Sequence, residues 1–102
     1  MIVYLSGPIT NNPGFVRDFQ VAERKMQMQG YTVINPADLR HVLPLHAMDY
    51  EQIMDVDFAL IRAADAVCLL PGWKASSGCN REVGYAQALG KLVFYLEKEE
   101  EK

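Results

Sequence analysis

Four short apolar runs alternate with three stretches of helical period, and that alternation restricts the chain to one kind of architecture. The runs are Ile2 to Leu5, Tyr31 to Ile34, Ala66 to Leu70 and Leu92 to Leu96, each short enough for a buried strand and bounded by turn residues. After Asn11-Asn12, which read as a cap, and Pro13 in a first turn, Phe15, Phe19, Ala22 and Met26 recur at helical spacing until Gly30. Asp49 with Gln52 makes a capping-box pattern for a second helix to about Ala64. A third helix runs from Cys79 to Leu89 and stops at Gly90. Parallel strands joined by right-handed crossovers need a helix between them, so the order β-α-β-α-β-α-β predicts an α/β fold. It is a single small doubly wound, flavodoxin- or Rossmann-like domain with a four-stranded parallel sheet, expected in the order 2-1-3-4. In that order the topology reverses between strands 1 and 3, and ligands bind at the carboxyl ends of strands flanking such a reversal. Ser6-Gly7-Pro8 and the loop from Pro71 to Gly78 are therefore expected to line a cleft. The stretch from Asn35 to Met48 has two prolines, two histidines and no period; long loops of this kind are commonly lids or binding loops.

Length and charge narrow the function. At 102 residues, 50% hydrophobic and 23% charged, the chain is one globular domain, expected over residues 1–96 with a frayed charged tail at 97–102. The net charge of -3 supplies no broad positive field, which excludes a nucleic acid polymer or an anionic membrane as the expected partner. A small molecule is the expected ligand. The opening Met1-Ile2-Val3-Tyr4-Leu5-Ser6-Gly7-Pro8 has neither a basic leader nor a long apolar run, so the expected location is the cytoplasm. Cys68 and Cys79 show no CxxC or Cys/His spacing, so neither a disulfide nor a metal site is expected. Small open sheets leave edges and faces to cover, which favours a homo-oligomer.

The chemistry concentrates in two places. Gly72-Trp73-Lys74-Ala75-Ser76-Ser77-Gly78 runs straight into a helix whose first turn holds Glu82. Free N–H groups at such an end attract anions, and the same positive end is expected to keep Glu82 ionised. The plainer alternative is that Ser76 or Ser77 only caps the helix and Glu82 is an exposed acid. On the second helix Ile53, Leu60 and Ala64 trace an inward stripe that includes Asp57, while Asp55 points away. A buried carboxylate needs a partner, so Asp57 is either a structural cap or a polar group of a site. Trp73 either stacks on a ligand base or packs over the sheet edge. Cys79 is read as a buried, unreactive thiol. Arg17, Arg40, Lys74 and Arg81 read as solvated surface, with Lys74 and Arg81 nearest the site in sequence. Two carboxylates near a phosphate-type loop suit glycosyl transfer, one attacking an anomeric carbon while another group assists the leaving base. No cofactor is required.

Tyr4-Leu5-Ser6-Gly7-Pro8-Ile9, Asp57 eight residues before Asp65, Ser76-x-Gly78-x-x-x-Glu82, and Gly84-Tyr85-Ala86-x-Ala88-Leu89-Gly90-Lys91 together resemble the nucleoside 2-deoxyribosyltransferase superfamily, including its small branch of nucleoside 5′-monophosphate N-glycosidases. The resemblance runs from Tyr4 to about Leu96. It implies cleavage of the N-glycosidic bond of a nucleoside or nucleoside 5′-monophosphate, by hydrolysis or by transfer to an acceptor base. It implies further that Glu82 is the nucleophile, that Asp57 contacts the sugar or assists the leaving base, and that Tyr4 and Gly7 border the pocket. Ser76 stands where the nucleoside-transferring branch tends to carry an acid and the monophosphate branch a serine, which leans the reading toward a phosphorylated substrate. Pro8 departs from the pattern, because it removes a backbone donor from the first loop. A non-catalytic nucleotide-binding or sensing module of the same fold is the alternative, against which the presence of both Asp57 and Glu82 argues.

Overall fold

The computed structural model describes residues 1–96; the charged tail expected at 97–102 lies outside the described residues. Strands β1 (Ile2–Ser6), β2 (Thr32–Ile34), β3 (Ala66–Leu69) and β4 (Leu92–Tyr95) form one parallel sheet in the order β2-β1-β3-β4, as the alternation of elements predicts. Helix α1 (Phe15–Met28) covers one face, and α2 (Tyr50–Ala63) and α3 (Ser77–Ala88) pack side by side on the other.

The strand period of two decides what each layer receives. On β1, Val3 and Leu5 point toward α1, where they meet Phe19, Ala22 and Met26. Tyr4 turns to the opposite face, where Ile61, Val83 and Ala86 of α2 and α3 pack. Ser6 shares that face by the same alternation. The side that receives α2 and α3 thus also receives two hydroxyls at the carboxyl end of the central strand. Polar groups buried so deeply are costly unless hydrogen-bonded, so this face has to supply a partner. Register sets the depth: Ser6 of β1 stands opposite Leu69 of β3, and the chain leaves both strands at the same level.

Helix α2 begins as its sequence dictates, with Asp49 accepting from the Gln52 N–H at 2.8 Å and the Gln52 side chain accepting from the Asp49 N–H at 3.0 Å. Its buried stripe is Met54, Asp57 and Ile61, so Asp57 is inside as expected while Ile53 and Leu60 are only half buried. Helix α1 starts later than Pro13 suggests. Asn12 Nδ2 donates instead to the Pro8 carbonyl at 2.9 Å and to Asp18 at 3.1 Å, and the helix opens at Phe15 after Gly14 without a side-chain cap. The long loop after β2 contains two 3₁₀ turns, Pro36–His41 and Leu45–Ala47, the first capped by Asn35 accepting from the Ala37 N–H at 3.0 Å.

Candidate active site

A cavity of about 740 Å³ opens at the carboxyl ends of the strands. Gly7, Pro8 and Ile9 after β1, Pro36 and Arg40 after β2, Tyr50, Met54 and Asp57 of α2, and Ser76, Ser77, Gly78 and Glu82 of the α3 region all line it. Each segment arrives by a chain connection that the topology fixes. Gly7 is required by packing: a Cβ there would lie 2.9 Å from Leu70 Cδ2 and 3.2 Å from Phe19 Cε1, which would push the β1 loop off the sheet.

Glu82 forms part of the wall of this cavity while being only 6% exposed. Ser6 Oγ donates to its Oε1 at 2.7 Å and Tyr4 Oη donates to its Oε2 at 3.1 Å. These are the partners that the two buried hydroxyls of β1 required, and they fix both oxygens of the carboxyl group. Across from it, Asp57 is 4% exposed and Arg40 Nη2 stands 3.9 Å from Asp57 Oδ2. Burial pushes the Glu82 carboxyl up to about 8, and the negative charge of Asp57 pushes the same way, against the donors Ser6 and Tyr4. Burial also raises Asp57 from the ordinary carboxylate range, while the Arg40 guanidinium and hydrogen bonds to Glu82 and Tyr4 hold it back. The two carboxyl groups titrate as a pair, and burial together with their mutual repulsion favours a proton held between them. Tyr4 is driven well above the usual phenol value by burial and by both carboxyl groups, so it remains a donor.

The expectation that the helix end keeps Glu82 ionised is thus corrected. Glu82 lies five residues beyond Ser77, in the second turn of α3, where the helix-end field has faded, and burial outweighs what is left. The first turn offers its anion-binding groups to the cavity instead. Ser76 Oγ accepts from the Cys79 N–H at 3.2 Å, the N–H groups of Ser77 and Gly78 have no intrahelical acceptor by position, and Asn80 Nδ2 ties down the carbonyls of Lys74 and Ser76 at 3.0 and 2.8 Å.

Of the residues expected at the site, Tyr4, Asp57, Gly7, Pro8, Ile9, Ser76, Ser77, Gly78 and Glu82 line one cavity. Ser6 lies beneath Glu82 and touches the cavity only through it. Trp73 is outside. After Gly72, whose φ of 87° only glycine adopts freely, the 3₁₀ turn Trp73–Ala75 carries the indole over the sheet edge, where its ring centre is 5.8 Å from that of Tyr95. Of its two readings, packing fits the ring's place against Tyr95 and outside the cavity lining. Lys74 and Arg81 are absent from the cavity lining as well: Lys74 sits 6.0 Å from the Trp73 ring, and Arg81 binds Glu51 through both terminal nitrogens at 3.0 and 2.9 Å. The basic residue that reaches the cavity is Arg40, which the sequence placed on the surface. Cys79 lines the cavity but is 2% exposed, and burial raises its thiol above the ordinary value, which suits an inert group. Among the described residues no group of three or more His, Cys, Asp or Glu side chains is placed to hold a metal ion, and no helix is long and apolar enough to cross a membrane.

This α/β fold, with its 2-1-3-4 parallel sheet, matches that of solved deoxyribosyltransferase-like structures. The structure aligns with the 2-desoxiribosyltransferase from Leishmania mexicana at a TM-score of 0.67 and 23% identity, covering 96% of this chain and 65% of that one. It aligns with the CMP N-glycosidase from Clostridium botulinum at a TM-score of 0.63 and 21% identity, covering 93% and 67%. The chain therefore spans about two thirds of the length of either structure. The chain belongs to the family described as domain of unknown function DUF4406, whose model matches residues 1–95. Among curated proteins no sequence match is found.

Proposed function

We propose that this chain cleaves the N-glycosidic bond of a nucleoside 5′-monophosphate or nucleoside with Glu82 as nucleophile, as a hydrolase or a 2-deoxyribosyltransferase. The observation that carries this reading is Glu82 itself: a cavity-wall carboxyl group with both oxygens fixed by Ser6 and Tyr4 and a second acid, Asp57, facing it. A carboxyl group with both oxygens fixed that still lines an open cavity, opposite a second acid, is placed to meet a ligand as well as to be stabilised. The two structural neighbours act on N-glycosidic or deoxyribosyl substrates by name, which supports the same class of bond.

In the proposed reaction the 5′-phosphate meets the N–H groups of Ser77 and Gly78 and the hydroxyls of Ser76 and Ser77, bringing the sugar over Glu82. An ionised Glu82 oxygen bonds to C1′ while the bond from C1′ to the base nitrogen breaks, its electron pair leaving with the base. Asp57, across the cavity, accepts from a sugar hydroxyl. Water or an acceptor base then takes C1′ from Glu82, restoring the carboxylate. A homo-oligomer remains part of this reading, because β2 and β4 are unpaired sheet edges; sedimentation of the protein at micromolar concentration tests it.

The decisive experiment is base release from a panel of nucleosides and 5′-monophosphates, with and without acceptor base, for wild type and Glu82→Ala. Release that falls by about 10⁴-fold or more in the variant is expected, the scale seen when a nucleophile is removed. Acceptor-dependent exchange would mark a transferase. Equal release by Glu82→Ala would move the nucleophile to another group, and tight nucleotide binding by a silent wild type would replace the proposal with a binding module.

A further inference from the structure

Glycosyl transfer to Glu82 leaves one charge in the cavity unused. Arg40 is the only basic side chain among the described residues lining it, and its side chain is 14% exposed. Its one ionic partner among the described residues is Asp57, at 3.9 Å, whereas a charge-assisted hydrogen bond is about 2.7–2.9 Å long. The contact is electrostatic and leaves the guanidinium donors free for a ligand. A cation withdrawn this far from water is expensive unless something negative meets it.

Its position shows what that is. Arg40 enters from the loop after β2 and the α3 first turn from the loop after β3, with β1, which holds Glu82 through Tyr4 and Ser6, between them. A nucleoside 5′-monophosphate has the matching order of base, sugar and phosphate. Resting on the reading that the phosphate binds at α3 and C1′ lies over Glu82, the base falls to Arg40. The reverse orientation would set the phosphate beside Asp57 as well as Arg40 and would leave the first-turn N–H groups of Ser77 and Gly78 facing the base instead of an anion.

From this arrangement we infer that the cavity selects a pyrimidine nucleotide, with Arg40 binding the 2-oxo edge of the base and stabilising it as it departs as an anion. When the bond from C1′ to N1 breaks, the electron pair passes to the ring and spreads onto O2, where the guanidinium meets it. Glu82 gains the bond to C1′; water later supplies the hydroxyl to C1′, and the proton it releases neutralises the base. Purine release is commonly assisted by protonating a ring nitrogen, which makes the departing base more positive, and a fixed cation opposes that step. Arg40 has no proton to give at working pH, so it acts through charge alone.

The test compares kcat/KM for cytosine, uracil, 5-fluorouracil, adenine and guanine 5′-monophosphates in wild type, Arg40→Gln and Arg40→Lys. Wild type is expected to favour pyrimidines, and Arg40→Gln to lose about 100-fold on cytosine and uracil, mostly in kcat. The loss is smaller for 5-fluorouracil, whose anion needs less help, and Arg40→Lys recovers part of the rate. A loss equal for all bases, or no loss at all, overturns the inference, as does purine release matching pyrimidine release in wild type, while leaving the glycosidase reading intact. Silence of the wild type on every nucleotide overturns both.

Discussion

At Glu82 the burial that holds the carboxyl group at the cavity also favours its protonated form, and the two effects pull in opposite directions for the proposed nucleophile. Only the ionised form attacks, so activity rises with pH as the proton leaves near the value of about 8 to which burial and Asp57 raise it. The log of kcat/KM for a monophosphate is expected to climb between pH 6 and 8 and flatten above, since the phosphate itself is already a dianion by pH 7. Ser6 opposes the rise by donating to the charged form at 2.7 Å. Replacing it, Ser6→Ala, moves the ascending limb to higher pH and restores much of the rate when assayed there; an unmoved limb would show that Ser6 does not tune the acid. Asp57 was legible in the sequence because it breaks an apolar stripe, and a charge inside such a stripe calls for a partner. Its partner was not legible. Arg40 lies in a stretch without period, where sequence spacing says nothing about direction, and only the 3₁₀ turn Pro36–His41 turns its side chain inward.

Helix α3 does two jobs at successive turns: its first presents amides to the cavity, and its second presents Glu82. The division makes the proposed phosphate site separable from the proposed nucleophile. An aspartate at position 76 keeps the cap, because Asp serves at that place as well as Ser, yet it adds a negative charge beside the proposed phosphate. For Ser76→Asp the expected result is an unchanged melting temperature within about 2 °C, kcat/KM for monophosphates down by about 100-fold, and little change for nucleosides. Equal loss on both substrates would place the phosphate elsewhere. Among the elements, those with a strict period or a capping box were readable, β1, β3 and α2 most clearly. The start of α1 was not, because Asn12 commits its amide to Pro8 and Asp18 rather than to the helix end. The 3₁₀ turns were missed as well, being too short to leave a pattern.

For the molecule as a whole, the buried acid is a cost that grows with pH. An unfolded chain releases the Glu82 proton near 4.5, while the folded protein holds it to about 8. Below the lower value both states are protonated and stability is full. Between the two the unfolded state carries fewer protons, so stability falls as pH rises, and the loss is complete above the upper value. Asp57, also raised, adds to the same trend. The expected fall from pH 5 to pH 9 is on the order of a few kcal/mol, read by urea unfolding, and Glu82→Gln is expected to flatten it and to be more stable than wild type at pH 9. A variant as pH-sensitive as wild type would locate the cost in another group.

Tyr4 and Ser6 reach Glu82 across 78 and 76 positions of sequence, which closes almost the whole described chain into a ring. The central strand is made before the other three, yet its two polar side chains find their acceptor only after α3 has emerged. Contacts so distant in sequence form late and slowly. A nascent chain therefore carries no assembled site, and the proposed nucleophile is held in place only when α3 docks.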